Sequence, residues 1–223
     1  MNGRIAVAAL LAMGMAAGAW VHFHRGVPRS PPGPGMRVAA GEASAPSSGD
    51  FFPEIPKIPD RLPQFSLADR SGKTTSIASF AGKSLIINFW ATWCAPCRSE
   101  IPLLQTLQAE WVGRGASVVG IAVDHRDEVL EFADRFKIGY PLLIGEQDAL
   151  DAAAAFGVAS PVFPFTVFTD RRGEVVALFI GELHKPQAEL ILSQVQKLNE
   201  GQIELPAARL AITQGLSALE RST

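Results

Sequence analysis

The chain has 223 residues and a formal net charge of −2 at pH 7, enough for one domain with its own core and flanking segments. The 20 basic and 22 acidic side chains form no basic stripe, which excludes a typical nucleic-acid-binding protein. Cysteine occurs only at Cys94 and Cys97, as expected in a compartment where spare thiols would be oxidised.

An apolar segment near the start of the chain predicts export. Residues 5–23 are uncharged and mostly apolar, and nineteen residues in a helix barely span the core of a bilayer. We expect residues 1–25 to be an uncleaved anchor, because the apolar run continues past the small residues at 17–19. Cleavage at that site, with secretion to the periplasm, is the alternative.

The next segment, residues 26–61, is rich in proline, glycine and serine. Nine of the sixteen prolines lie between Gly26 and Pro63, so this stretch is expected to be an extended, solvated linker. A proline-rich site for a binding partner is the alternative interpretation.

Residues 62–198 alternate strand and helix patterns and are predicted to form one α/β domain. The predicted strands cover 65–69, 74–77, 85–90, 117–123, 141–144, 165–170 and 174–180, and the first two form a hairpin. The predicted helices cover 94–111, 127–136, 147–156 and 186–198. Apolar strands bounded by helices predict a mixed sheet covered on both faces. The C-terminal extension, 199–223, has helical spacing after Pro206, which does not decide whether it packs on the domain.

Both cysteines stand directly behind the apolar strand 85–90, in the sequence Trp93-Cys94-Ala95-Pro96-Cys97. A Cys-x-x-Cys where a buried strand turns into a helix is typical of a redox dithiol. Cys94 should lie at the helix N-terminus with its sulfur facing outward, where free N–H groups favour thiolate and lower its pKa below about 8.5. Pro96 fits the first helical turn, where its missing N–H costs nothing.

Other uses of two cysteines fit less well. Structural zinc needs four ligands, and His125 and His184 show no paired spacing. Covalent haem attachment requires histidine directly after the second cysteine, where this chain has Arg98. A peroxiredoxin-type peroxidase would have Thr or Ser at the position of Ala91. We therefore expect neither a bound metal nor a cofactor.

The segment 89–97, the downstream segment 164–168 with Asp170 and Gly173, and the apolar leader together resemble the TlpA/ResA-like thioredoxin family. The resemblance covers about residues 60–198. It implies a thioredoxin fold: a mixed central sheet flanked by helices, with an N-terminal hairpin and a strand-helix insertion within 127–156.

The family also implies thiol-disulfide oxidoreductase activity of the protein-disulfide reductase type, outside the cytoplasmic membrane. Many members supply reductant for cytochrome c maturation or for copper-centre assembly in terminal oxidases. A membrane electron-conduit reductase would recycle the dithiol.

Three catalytic residues follow from the resemblance. Cys94 matches the nucleophilic cysteine and Cys97 the resolving cysteine. Glu100 matches an acid that lies beneath the disulfide, where partial burial would raise its pKa and let it exchange a proton with Cys97. An exposed helix acid is the alternative for Glu100. Asn88 stands where thioredoxins carry aspartate, and we expect it to be a structural polar residue.

Three further residues are expected to contact substrate. Pro164 resembles the cis-proline that faces the disulfide and leaves neighbouring backbone groups free for a substrate strand, with Pro161 as the alternative. Phe163, a bulky residue facing the disulfide, would narrow substrate choice. Trp93 is expected to contact substrate beside Cys94.

These patterns predict a thiol-disulfide oxidoreductase that reduces disulfides in exported proteins. Its catalytic domain would face the periplasm from a single-pass inner-membrane anchor, and its partners would be exported protein thiols or disulfides. A copper-binding metallochaperone that uses the same cysteines without redox turnover is the alternative, because soft sulfur ligands suit Cu(I). The physiological substrate, the redox potential and the oligomeric state do not follow from the sequence.

Overall fold

The computed structural model describes residues 58–158 and 162–222. The predicted anchor, nearly all of the predicted linker and Pro161 therefore lie outside the described residues. None of the helices in the described part of the chain combines the length and apolar character that a membrane span requires.

A seven-stranded mixed sheet is the centre of the fold, in the order β2-β1-β5-β4-β3-β6-β7. Its strands are β1 (Ser66–Asp69), β2 (Thr74–Ser76), β3 (Ser84–Trp90), β4 (Ala116–Val123), β5 (Leu142–Gly145), β6 (Phe165–Thr169) and β7 (Val175–Ile180). Strands β3, β4 and β5 run parallel, whereas β1, β2, β6 and β7 pair with their neighbours antiparallel. The predicted mixed sheet is confirmed.

Five α-helices of the described chain flank this sheet: α1 (Ala95–Trp111), α2 (Arg126–Arg135), α3 (Gln147–Ala154), α4 (Lys185–Asn199) and α5 (Leu205–Arg221). Short 3-10 helices cover Ile77–Phe80 and Val112–Arg114. One sheet face packs against α1, α2, α4 and α5, and the other packs against α3 and the first 3-10 helix. The thioredoxin fold predicted from the resemblance is confirmed.

The apolar run that precedes the two cysteines forms the central strand β3. Every residue of β3 is buried, because helices or loops cover both of its faces. Ile86 and Trp90 point into the cluster beneath α1, whereas Ile87 and Phe89 point into the cluster on the other face. This alternation follows from the period of two along a strand.

The segment between β4 and β6 supplies the predicted insertion. Its strand β5 pairs with β4 on one side and with β1 on the other, so it joins the N-terminal hairpin to the rest of the sheet. Helix α3 ends at Ala154, two residues before the predicted end, and the left-handed Gly157 turns the chain away. Buried Phe156 follows the helix and packs edge-on against Phe89, with ring centroids 5.7 Å apart.

Both ends of the described domain pack on strand β7. Helix α5 of the C-terminal extension buries Ala208 and Ile212. Arg209 donates to the carbonyl oxygen of Val175 at 2.6 Å and pairs with Asp60 at 3.1 Å. The Val175 N–H in turn donates to the Asp60 carbonyl oxygen at 3.0 Å. At Val175, the backbone on the free edge of β7 is therefore bonded to both terminal segments.

Candidate active site

The two cysteines occupy the start of α1. Cys94 is the N-cap of the helix, with extended backbone, and its sulfur accepts a hydrogen bond from the Cys97 N–H at 3.3 Å. The two residues form a disulfide, with Cα atoms 5.3 Å apart. Pro96 lies in the first turn, as predicted. In the reduced protein the same N-cap position would present backbone N–H groups to a Cys94 thiolate.

Neither cysteine is open to solvent in this oxidised state. Cys94 is 5% exposed and Cys97 is fully buried. The expectation that the Cys94 sulfur faces outward is therefore wrong for the disulfide form, because Cys94 packs into the apolar cluster beneath α1. Cys94 is nevertheless the more exposed of the two cysteines, so a substrate disulfide would reach Cys94 before Cys97.

An acidic side chain fixes the turn that precedes Cys94. Asp124 accepts hydrogen bonds from the backbone N–H and the hydroxyl of Thr92, at 3.0 and 2.5 Å. Asp124 follows β4, and since β3 and β4 are parallel, their carboxyl ends meet at the same edge of the sheet. No role for Asp124 was predicted from the sequence. The one feature of the sequence that could have indicated this role is the position of Asp124 directly after an apolar strand.

Glu100 is buried one helical turn beyond Cys97 and is only 1% exposed. Its carboxylate accepts hydrogen bonds from Asn88 Nδ2 at 2.7 Å and from the Leu183 N–H at 2.9 Å. Burial raises the pKa of Glu100 to about 7, although these two hydrogen bonds act in the opposite direction, and the charge of Glu182 adds to the rise. The exposed-acid alternative is excluded. A carboxyl group with this pKa can both accept and release a proton near neutral pH.

Asn88 was predicted to be a structural polar residue, and in the structure it also bonds to the catalytic acid. Its side chain is buried in β3, and besides Glu100 it donates to the Thr166 hydroxyl at 3.1 Å. The residue thus links β3, β6 and α1. The sequence indicated that this buried amide needs partners, but not that one partner is Glu100.

An apolar surface lies beside the disulfide. Trp93, next to Cys94, is 64% exposed, and its ring meets the Phe163 ring edge-on with centroids 6.2 Å apart. The Phe163–Pro164 peptide bond is cis, at the proline that the family resemblance indicated. The structure thus brings together the predicted substrate-contacting residues Trp93 and Phe163. Within the described residues no group of three or more His, Cys, Asp or Glu side chains could hold a metal ion.

Comparison with known proteins agrees with this geometry. The sequence pattern of the AhpC/TSA family matches residues 58–178. Thioredoxin-like protein YneN of Bacillus subtilis is 35% identical over 133 residues, which cover 58% of this chain and 75% of YneN. The thiol-disulfide oxidoreductase ResA of Geobacillus thermodenitrificans is 30% identical over 150 residues, which cover 66% of this chain and 84% of ResA.

A solved structure gives the same result for the fold. The thiol:disulfide interchange protein of the thioredoxin family from Chlorobium tepidum is 33% identical and superposes with a TM-score of 0.53. The match covers 64% of this chain and 97% of that protein.

Proposed function

The chain belongs to the AhpC/TSA family and is a thiol-disulfide oxidoreductase of the ResA type, and from this premise we propose that it reduces disulfides in exported proteins. The observation that carries the proposal is the position of Glu100. A buried acid with a pKa of about 7 lies one turn beyond the buried Cys97. Such an acid suits the proton transfer that the resolving cysteine requires.

The first step is nucleophilic attack by Cys94. In the reduced protein the Cys94 thiolate attacks one sulfur of a substrate disulfide, and that disulfide bond breaks as a new bond to Cys94 forms. The departing substrate sulfur leaves as a thiolate and takes a proton from solvent. The N-terminus of α1 favours the attacking thiolate through its free N–H groups and its dipole.

The second step is attack by Cys97 on the mixed disulfide. The Cys97 thiol gives its proton to the Glu100 carboxylate, and the resulting thiolate attacks the Cys94 sulfur. The bond between Cys94 and the substrate breaks, and the second substrate sulfur leaves reduced. The two electrons come from the dithiol, which ends as the Cys94–Cys97 disulfide seen here.

Location and partners belong to the same proposal. Residues 1–25 would anchor the protein in the inner membrane, and the linker would hold the catalytic domain in the periplasm. A membrane electron-conduit reductase would return the disulfide to the dithiol. The substrates would be exported proteins whose cysteines must be reduced for cytochrome c maturation or for assembly of an oxidase copper centre.

Trapping of the mixed disulfide tests this function. The Cys97→Ser variant, expressed in full length, should accumulate covalent adducts between Cys94 and its substrate proteins, because the resolving thiol is absent. Addition of dithiothreitol should release the adducts for identification by mass spectrometry. The matched Cys94→Ser variant should form none. Adducts at equal yield in both variants would refute the assigned roles, and identification of cytoplasmic proteins alone would refute the proposed location.

A further inference from the structure

Three buried polar atoms near Glu100 have no hydrogen-bond partner. They are Asn88 Oδ1, Trp90 Nε1 and the Tyr140 hydroxyl oxygen. They make up three of the four buried side-chain oxygen and nitrogen atoms that lack a partner within the described residues. Buried polar atoms of this kind are rare in native proteins, and each requires an explanation.

The sheet register places the three side chains next to one another. Asn88 is paired with Gly120 across β3 and β4, and Trp90 lies two residues further along the same face of β3. Gly120 has no side chain, and its neighbours occupy that space. A Cβ at Gly120 would lie 2.6 Å from Leu142 Cδ2, 3.0 Å from Tyr140 Cε2 and 3.2 Å from Trp90 Nε1. The Tyr140 ring and the indole nitrogen therefore approach the same point, beside the residue paired with Asn88.

This polar cluster, Asn88, Trp90 and Tyr140, also borders on the catalytic acid. Asn88 donates directly to Glu100 at 2.7 Å. Burial, together with the nearby charge of Glu100, raises the pKa of Tyr140, so the Tyr140 hydroxyl stays protonated throughout the working range. Tyr140 is 2% exposed and takes no part in the exchange steps described above.

The donors and acceptors of the cluster match the needs of one water molecule. Asn88 uses its two N–H groups for Glu100 and Thr166, which leaves its oxygen as an acceptor. Trp90 has one N–H donor, and the Tyr140 hydroxyl can donate and accept. A single water can donate to Asn88 Oδ1 while it accepts from the Trp90 N–H and from the Tyr140 hydroxyl. Internal waters typically make about three such bonds.

We propose that Asn88, Trp90 and Tyr140 bind one internal water molecule, and that Tyr140, acting through this water and Asn88, is a positioning residue for Glu100. A water that donates to Asn88 Oδ1 keeps this oxygen turned away from the Glu100 carboxylate and keeps the N–H group pointed toward it. The same bond polarises the amide and strengthens its donation to Glu100. The inference rests on the proposed function, in which Glu100 exchanges a proton with Cys97.

The cluster therefore controls the protonation of Glu100. The other ionisable groups near this carboxyl are Glu182, in the segment before α4, and Tyr140 itself. Cys97, on the same helix as Glu100, becomes ionisable only in the reduced protein. The Leu183 N–H donates to the Glu100 carboxyl independently of the cluster. Loss of the Tyr140 hydroxyl would weaken only the bond from Asn88, so Glu100 would become a weaker acid without losing its place.

A carboxyl titration of the oxidised full-length protein tests the inference. With 13C-labelled glutamate, the NMR signal of Glu100, assigned by its loss in Glu100→Gln, reports protonation in the absence of turnover. The Tyr140→Phe variant should raise the titration midpoint by about half a pH unit or more, because the ionised carboxylate loses part of its stabilisation. The matched Ser117→Ala variant removes a buried hydroxyl from the opposite face of the sheet and should titrate as the wild type does.

A high-resolution crystal structure of the oxidised protein supplies the second measurement. It should show one ordered water within hydrogen-bond distance of all three atoms. Trp90→Phe should shift the midpoint in the same direction, which keeps the test valid if Tyr140→Phe fails to fold. An unchanged midpoint in the folded variants, or the absence of ordered water at this place, would overturn the inference. Because the titration requires no substrate, failure of disulfide exchange would count against the proposed function alone.

Discussion

The Asn88 amide and the Glu100 carboxylate are joined by a hydrogen bond of 2.7 Å that connects β3 to α1. This bond ties the helix that carries both cysteines to the strand that precedes them in the chain. It also stabilises the ionised form of an acid that burial would otherwise keep protonated. In the proposed mechanism, the balance between the two effects sets the pH at which Glu100 can take the proton of Cys97.

Removal of the Asn88 donor should make Glu100 a weaker acid. Asn88→Ala leaves the carboxylate with the Leu183 N–H as its remaining donor. A hydrogen bond to a charged group contributes about 1.5–3 kcal/mol, so the pKa of Glu100 should rise from about 7 by roughly one to two units. Stopped-flow measurement of mixed-disulfide resolution should then show a slower rate at pH 7 that recovers at higher pH.

The control for this variant is Asn199→Ala. Asn199 is also well bonded, to Ser84 at 2.8 Å and to the Arg171 N–H at 3.0 Å, but it lies at the end of α4. Asn199→Ala should leave the pH dependence of the rate of mixed-disulfide resolution unchanged. If Asn88→Ala and Asn199→Ala show the same pH dependence of this rate, the hydrogen bond from Asn88 to Glu100 does not control the proton transfer.

Burial of Glu100 should make the oxidised protein less stable as pH rises. The folded pKa, about 7, lies above the ordinary value of 4.5, so the folded state binds more protons in this window. The contribution of Glu100 to the free energy of unfolding is therefore fully present below pH 4.5. It is lost as pH rises through 7, which lowers the free energy of unfolding by about 3 kcal/mol. Glu100→Gln carries no charge and should escape this loss.

Urea unfolding of the oxidised protein at pH 4.5, 6 and 8 measures the effect. The difference between Glu100→Gln and the wild type should grow with pH in favour of the variant. Glu110→Gln changes an exposed acid on the same helix and serves as the control, with no such trend expected. A difference for Glu100→Gln that stays constant from pH 4.5 to 8 would show that Glu100 titrates at its ordinary value.

The contact between Asp124 and Thr92 should stabilise the turn before Cys94. Asp124→Ala leaves the Thr92 N–H without its acceptor, and loss of charge-assisted bonds at a largely buried position should cost about 2 kcal/mol. Asp134→Ala is the matched control, because Asp134 is 79% exposed in its pair with Arg70 and such pairs contribute at most about 1 kcal/mol. Equal free energies of unfolding for the two variants would refute the role of Asp124.

Docking of the C-terminal helix should contribute to stability without affecting the dithiol. Ile212→Ala removes a side chain buried beneath α5 and should lower the free energy of unfolding by about 2–4 kcal/mol. Leu210→Ala, on the same helix but 59% exposed, should change it by less than about 0.5 kcal/mol. The reactivity of Cys94 should be the same in both variants. Similar losses of stability in the two variants would mean that α5 does not pack as described.

Local patterns in the sequence predicted most of the fold. Strand β3 and the start of α1 follow from the apolar run 85–90 and the Cys-Ala-Pro-Cys motif, which are signals within one stretch of chain. The packing of α5 on the domain was not predictable, because apolar residues at helical spacing predict a helix but not the surface against which it packs. The helix packs beside α4 and bonds to Asp60 and β7, and the last two are distant from it in sequence.

The chemistry of the site was only partly predictable for the same reason. Cys94 and Cys97 stand in one motif, whereas the surroundings of Glu100 come from separate parts of the chain. Asn88 belongs to β3, Leu183 to the segment before α4, and Tyr140 to the approach to β5. No local pattern indicates that these residues meet. The exposure of Cys94 was also misjudged, because the cluster beneath α1 that covers it forms only in the folded domain.

The most direct measurement is a titration of Cys94 in the reduced full-length protein. The rate of alkylation by iodoacetamide against pH, with each cysteine followed by mass spectrometry, gives both thiol pKa values. Because Cys94 caps α1 and Cys97 is fully buried, Cys94 should ionise below about 8.5 and Cys97 above Cys94. A Cys94 thiol that ionises at or above about 8.5, or later than Cys97, would contradict the assignment of Cys94 as the nucleophile.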